Sequence, residues 1–172
     1  MKYKTKKQGI AIIELLIYSA ILAVMSILVV NTIILMTRSF GRFNVSRNIN
    51  NSVEVAMERM TREIRLADSV DFISSDFDIH PGRLTLNTVD SLNQPTTVEF
   101  FASTTVLMLR EGILDPQPLT SSAVDMTNLI FREDTSSSTS KAIKIEISLQ
   151  ADNGKYQKTD NFYNTVILRR SY

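Results

Sequence analysis

"KKQGIAIIELLIYSAILAVM", residues 6–25, places one carboxylate, Glu14, at the fifth position of an apolar run that begins at Ile10. The run continues to Met36, and within it the only ionisable side chains are Glu14 and Tyr18. At about 1.5 Å per residue, a helix of this length covers a hydrocarbon core of roughly 30 Å. A single helix with Glu14 facing lipid is penalised by at least a few kcal/mol. Two outcomes remove that penalty: the acid stays protonated, or it finds a cation. Lys6 and Lys7 lie upstream, but their place is among the cytoplasmic headgroups. A cut after Gly9 supplies a better cation, because the new α-amino group of Ile10 lies one helical turn from Glu14. That amine can pair with Glu14 of its own chain or of a neighbour packed alongside.

Working outward, the 172-residue chain is 44% hydrophobic and 22% charged with a net charge of +1, which fits one globular domain plus an additional element. Without the apolar run, the remainder is polar and rich in Ser, Thr, Asn and Asp. Lys2, Lys4, Lys6 and Lys7 make residues 1–9 strongly basic, whereas the rest is net −3. A basic tip before a span favours a cytoplasmic N-terminus and an exported C-terminal domain; Arg38, Arg42 and Arg47 just beyond the span work against it. No basic face on the remainder points to direct nucleic-acid binding. There is no cysteine, so disulfides, thiolate metal sites and thiol catalysis are excluded. An ordinary secretory signal fits poorly: its apolar core is about 7–15 residues and ends at a small-residue cleavage site. Here the run meets "TRSFGRF" instead. A plain uncleaved anchor remains as an alternative, and it leaves Glu14 unexplained.

After the span, Val45, Ile49, Val53, Ala56, Met60, Ile64 and Ala67 recur at steps of three or four among charged neighbours. They form one stripe of an amphipathic helix, supported on its polar side by the Glu58–Arg62 pair four residues apart. The spacing predicts one helical spine from about Ile10 to Ala67, with a soft spot at Gly41. From about Val70 the period shifts towards two. Ile143, Ile145, Ile147 and Leu149 alternate with Lys144, Glu146 and Ser148, as in a half-buried strand. Weaker strands are expected in "RLTLNTV", "TVEFFA", "TTVLMLR", "MTNLIFR" and "NTVILRR". "HPG", "LNQP", "DPQP" and "DNG" supply turns between them, and "EDTSSSTS", 133–140, reads as a polar loop. The expected fold class is α+β: a long N-terminal helical spine, its first half transmembrane, packed against an antiparallel sheet.

The opening residues resemble the signal of type IV prepilins and type II secretion pseudopilins. That pattern has a short Lys-rich leader ending in Gly, a cut, four mostly apolar residues, Glu, and a long apolar helix. By this resemblance Gly9 ends the leader and Ile10 begins the mature chain, standing where the family usually has Phe. A prepilin peptidase would cut between them and methylate the Ile10 amine. Glu14 would align an incoming subunit by pairing with a neighbour's terminal amine. "SVEVAMERMTREIRLADSV", "PLTSSAVDMTNLIF" and "NFYNTVILR" further resemble J-type minor pseudopilins and W-type minor pilins.

The resemblance implies a division into a leader at 1–9, a transmembrane and assembly helix at 10–36, an amphipathic half at 37–69 and a β-rich domain at 70–172. It implies a minor pilin or pseudopilin, a non-enzymatic filament subunit acting at the tip or in initiation. Its partners would be the peptidase, other pilin or pseudopilin subunits, an inner-membrane assembly platform and, before assembly, membrane lipid. From another class, the alternative is a single-pass anchored extracytoplasmic binding domain that never polymerises.

Other candidate sites are thin. His80 is the only histidine and sits in the turn "DIHPG", so zinc and Ser/His/Asp chemistry lack support. Asp76 with Asp78, and Asp152 with Asn153 and Gly154, raise calcium, but neither has EF-hand spacing, and "DNG" is more simply a hairpin turn. Gly-rich phosphate loops are absent. No cofactor is expected; calcium stays open because some pseudopilins bind it.

Overall fold

In a computed structural model, residues 6–134 and 141–168 are described, with side chains from residue 12 onward. The chain forms one long helix, α1 (Lys6–Leu66), and eight strands: β1 (Ser69–Val70), β2 (Arg83–Val89), β3 (Pro95–Ser103), β4 (Val106–Glu111), β5 (Gln117–Pro118), β6 (Asp125–Asp134), β7 (Ala142–Asp152) and β8 (Gln157–Ile167). All strand pairs are antiparallel. The fold is α+β, a long N-terminal helix whose later part, from Val45 to Ala67, packs against antiparallel sheets. Two compact units divide the chain, Met1–Arg42 and Phe43–Tyr172.

In the second unit the helical stripe is the buried side. Val45, Ile49, Val53, Ala56, Met60, Ile64 and Ala67 are all in the core, at the steps of three and four that keep them on one face. The helix ends with Ala67 N–H donating to Glu63 O (2.9 Å) and with Arg65 in its last turn, where a cation complements the helix dipole. Gly41 is helical like its neighbours, so no break occurs there.

The strands form two sheets rather than one, with orders β1-β2-β3-β4-β5 and β6-β7-β8. Their inner faces are apolar: Leu84, Leu86, Val98, Phe100, Leu107 and Leu109 on the first; Leu129, Phe131, Ile143, Ile145, Ile147 and Leu149 on the second. With the helical stripe they make one continuous core. The alternation in β7 places every second residue from Ile143 to Ala151 inside.

Just past the end of β5, the chain stays on β4: Leu119 N–H donates to Leu107 O (2.8 Å) and the Thr120 hydroxyl accepts from Leu107 N–H (3.1 Å). On β6, Asp78 N–H donates to Phe131 O and Gly82 N–H to Leu129 O, both at 2.9 Å. The His80 ring accepts from Leu129 N–H through Nδ1 (3.0 Å). The 78–82 turn therefore covers the β6 edge, as unpaired edges require.

"DPQP", expected as a turn, contributes the short strand β5, paired with Met108 and Leu109. β8 begins at Gln157, seven residues before "NTVILRR", because it pairs along the whole of β7. Of the 133–140 loop, Glu133 and Asp134 belong to β6, and the rest lies outside the described residues.

On the outer face of the second sheet, Glu146 accepts from Arg132 Nε (3.1 Å) and faces Lys144 Nζ (3.1 Å), while Arg132 Nη1 reaches Asp78 (2.6 Å). The Arg132 hydrogen bond, then that of Lys144, holds the Glu146 carboxyl below its ordinary value. A depressed folded value means this contribution is complete above the ordinary glutamate range and is lost as pH falls through the folded value. Acidification from about pH 6 to about pH 3 should therefore lower the unit's stability. Glu146→Gln should remove a share of that dependence, solvent-screened to about 1 kcal/mol or less. Thermal melts of both proteins across that range measure it.

Candidate functional site

The site is built on the first unit, because there the sequence breaks the rule of apolar burial. Every residue from Ile12 to Phe40 is exposed, including Leu15, Ile17, Leu22, Val24, Leu28 and Leu35, which lie on different sides of the helix. Such a surface on all sides is far beyond the apolar patches that water-facing monomers tolerate. The helix is long and apolar enough to cross a membrane, and none of its apolar window is buried in the protein. Its backbone polar groups are satisfied within the helix, the condition lipid imposes.

The polar side chains of the span follow the same logic. Ser26, Thr32 and Thr37 each donate to the carbonyl four residues earlier, at 2.8, 2.8 and 2.9 Å, and Ser19 donates to Leu16 O at 2.9 Å. The Tyr18 hydroxyl donates to Glu14 Oε1 at 3.0 Å. Asn31, fully polar and exposed, makes no hydrogen bond among the described residues. Between Ile12 and Met36, Glu14 and Asn31 thus carry the largest unspent polar capacity: one open carboxylate oxygen and one whole carboxamide.

Of the residues singled out in the sequence, Glu14 lies on this exposed helix. Gly9 and Ile10 belong to its first turns, as do Lys6 and Lys7, with only their backbone described. Lys2 and Lys4 lie outside the described residues. Ile10 and Glu14 are four residues apart on one helix, hence about 6 Å along its axis. In the uncut chain Ile10 carries a peptide nitrogen, so no cation stands there. Tyr18 as the partner of Glu14 was missed in the sequence; the available signal was a donor and an acceptor at i and i+4.

The remaining candidates in the second unit are occupied by structural contacts. Asp76 faces Arg83 (3.7 Å) and Asp78 faces Arg132. Among the described residues no three His, Cys, Asp or Glu side chains converge as a metal site. Asp152 Oδ1 accepts from Gly154 N–H (2.6 Å), and Asn153 Oδ1 from Tyr156 N–H (2.9 Å), with Gly154 at φ +79°, so "DNG" is a hairpin turn. The outer face of the first sheet holds Glu99 between Arg83 and Arg110, both at 3.0 Å, with Arg110 5.1 Å over the Phe101 ring. An open cleft of about 580 Å³ lies between Arg59, Glu63, Asp90, Thr96 and Glu111. Arg59 pairs there with Glu63 (3.1 Å) and with Glu111, and the lining contains no histidine.

No protein-family model matches the sequence, and comparisons with curated proteins and with solved structures return no match.

Proposed function

We propose that the chain is a minor pilin or pseudopilin, a structural subunit of a type IV pilus or a type II secretion pseudopilus, acting at the tip or in initiation. It is inserted with its basic N-terminus in the cytoplasm and its β-rich unit outside. A prepilin peptidase cuts between Gly9 and Ile10 and methylates the new amine. Glu14 then pairs with the terminal amine of a neighbouring subunit on the assembly platform. The single observation that carries this reading is Glu14 itself, on an apolar helical stretch exposed from Ile12 to Phe40 and four residues from a glycine-bounded cut signal.

The physical chemistry of release supports it. Leaving lipid for water would expose the whole apolar surface of residues 12–40, at roughly 25 cal/mol per Å². Burial against like helices of other subunits avoids this, which is what a filament core provides. Asn31 favours the same environment, since a carboxamide in lipid gains by bonding across to another helix, typically by about 0.6–2 kcal/mol. Asn31→Leu should therefore keep membrane insertion and cutting, and lower the chain's share in the filament by about threefold or more. Quantification of sheared filaments against membranes checks it.

The cleft beside Arg59 favours a second reading, an anchored binding domain that never polymerises. Fractionation separates the two. The filament reading expects the chain in sheared filaments together with other subunits; the anchored reading leaves all of it in the membrane fraction.

A further inference from the structure

We propose that Tyr18 positions Glu14 for docking: its phenol holds one carboxylate oxygen and so presents the other to the amine of the neighbouring subunit. This rests on the assembly reading above and adds to it a residue that the cut signal does not contain.

The geometry comes from helix direction. Side chains on a helix lean towards its N-terminus and over the preceding turn. Tyr18 therefore leans over the turn that carries Glu14, and its hydroxyl meets Oε1 at 3.0 Å. Glu14 in turn leans towards the turn that begins at Ile10. The carboxylate thus stands between a phenol on its C-terminal side and, after the cut, an amine on its N-terminal side. A carboxylate has about four lone-pair positions, so it takes an ammonium without giving up the phenol.

The contact is selective among the polar groups of the span. Ser19, Ser26, Thr32 and Thr37 spend their hydrogens on backbone carbonyls, whereas Tyr18 spends its hydrogen on a side chain. Both Glu14 and Tyr18 are exposed, so surrounding protein does not push them together. In lipid neither has water to turn to, and an unpaired polar group there is costly. The hydroxyl does two things with one bond. It lowers the penalty of holding Glu14 in the bilayer before assembly, and it fixes the carboxylate's rotamer so that the amine meets an aligned acceptor.

Tyr18→Phe isolates the hydroxyl, because it keeps the ring and the helix. Two readouts are required, both on the full chain. Carbon-13 NMR of the labelled glutamate carboxyls in bilayers should show the Glu14 signal moved by the substitution and the other glutamates unmoved. With the peptidase and the other subunits present, cutting and membrane level should match the wild type. Incorporation into sheared filaments should fall by about threefold to tenfold, the range a membrane hydrogen bond supports. An unmoved Glu14 signal, or wild-type incorporation of Tyr18→Phe, overturns the proposal. An uncut wild-type chain, or full incorporation of Glu14→Ala, strikes the assembly reading instead. The NMR arm then still decides whether Tyr18 holds Glu14.

Discussion

Under the proposed assembly function, Glu14→Ala should insert into the membrane and be cut at the wild-type level, while its incorporation into filaments should fall thirtyfold or more. On that proposal, insertion would depend on the apolar run, which gains from losing a charge, cutting would depend on the leader and Gly9, and assembly alone would need the carboxylate. With like helices packed together, the amine of Ile10 would be removed from water, and without Glu14 it would have no counter-ion. Truncating one member of a buried charge pair costs about 2–5 kcal/mol, mostly because the other charge is stranded. At about 1.4 kcal/mol per factor of ten, that range begins near thirtyfold. Quantitative blotting of membrane and sheared fractions measures it. Normal incorporation would remove the pairing role from the account.

Phe131→Ala destabilises the β-rich unit by about 3–5 kcal/mol, the range for truncating a fully buried aromatic. Phe131 is completely buried on the inner face of β6. The site has little freedom to collapse. The 78–82 turn is tied to the backbone of β6 at Leu129 and Phe131, and a Cβ placed on Gly82 would already stand 3.2 Å from the Phe131 ring. The vacated volume therefore remains largely as a cavity. Since domains of this size have about 5–15 kcal/mol in total, much of the margin goes. Thermal melts of the full chain in detergent should show a large drop, while Tyr163→Ala, at a 65% exposed residue, should shift the melt little. A drop below about 1 kcal/mol would contradict the tight packing described for this joint.

The parts of the fold that were legible in the sequence are those where a periodicity meets a single continuous core. The stripe from Val45 to Ala67 and the alternation from Ile143 to Leu149 fall on the buried faces they imply. The division into two sheets was not legible. The outer edge of β6 is covered by the 78–82 turn, a contact between segments far apart in sequence that leaves no local period. The two-residue strands β1 and β5 are too short to carry a pattern, and Pro118 in β5 reads locally as a turn residue. The start of β8, "QKTDNF", is mostly polar because its residues on both faces are exposed or only half-buried, so no apolar alternation marks it.

At the candidate site, Glu14 was legible because a charge in an apolar run is conspicuous in composition alone. Its partner was not, because Tyr18 is as compatible with lipid-facing packing as with hydrogen bonding, and only the side-chain directions decide. Asn31 was passed over for a similar reason: it is uncharged, so a reading that counts ionisable groups misses it. Its lack of a partner becomes visible only when the neighbouring hydroxyls are seen to be satisfied.

The central claim is that the apolar helix begins with a processing signal whose cut creates the partner of Glu14. The intact mass and N-terminal sequence of the membrane-extracted chain test it most directly. The account requires a chain that starts at Ile10, with a methyl group on its terminal amine. A chain that still starts at Met1, with all four leader lysines in place, would contradict it.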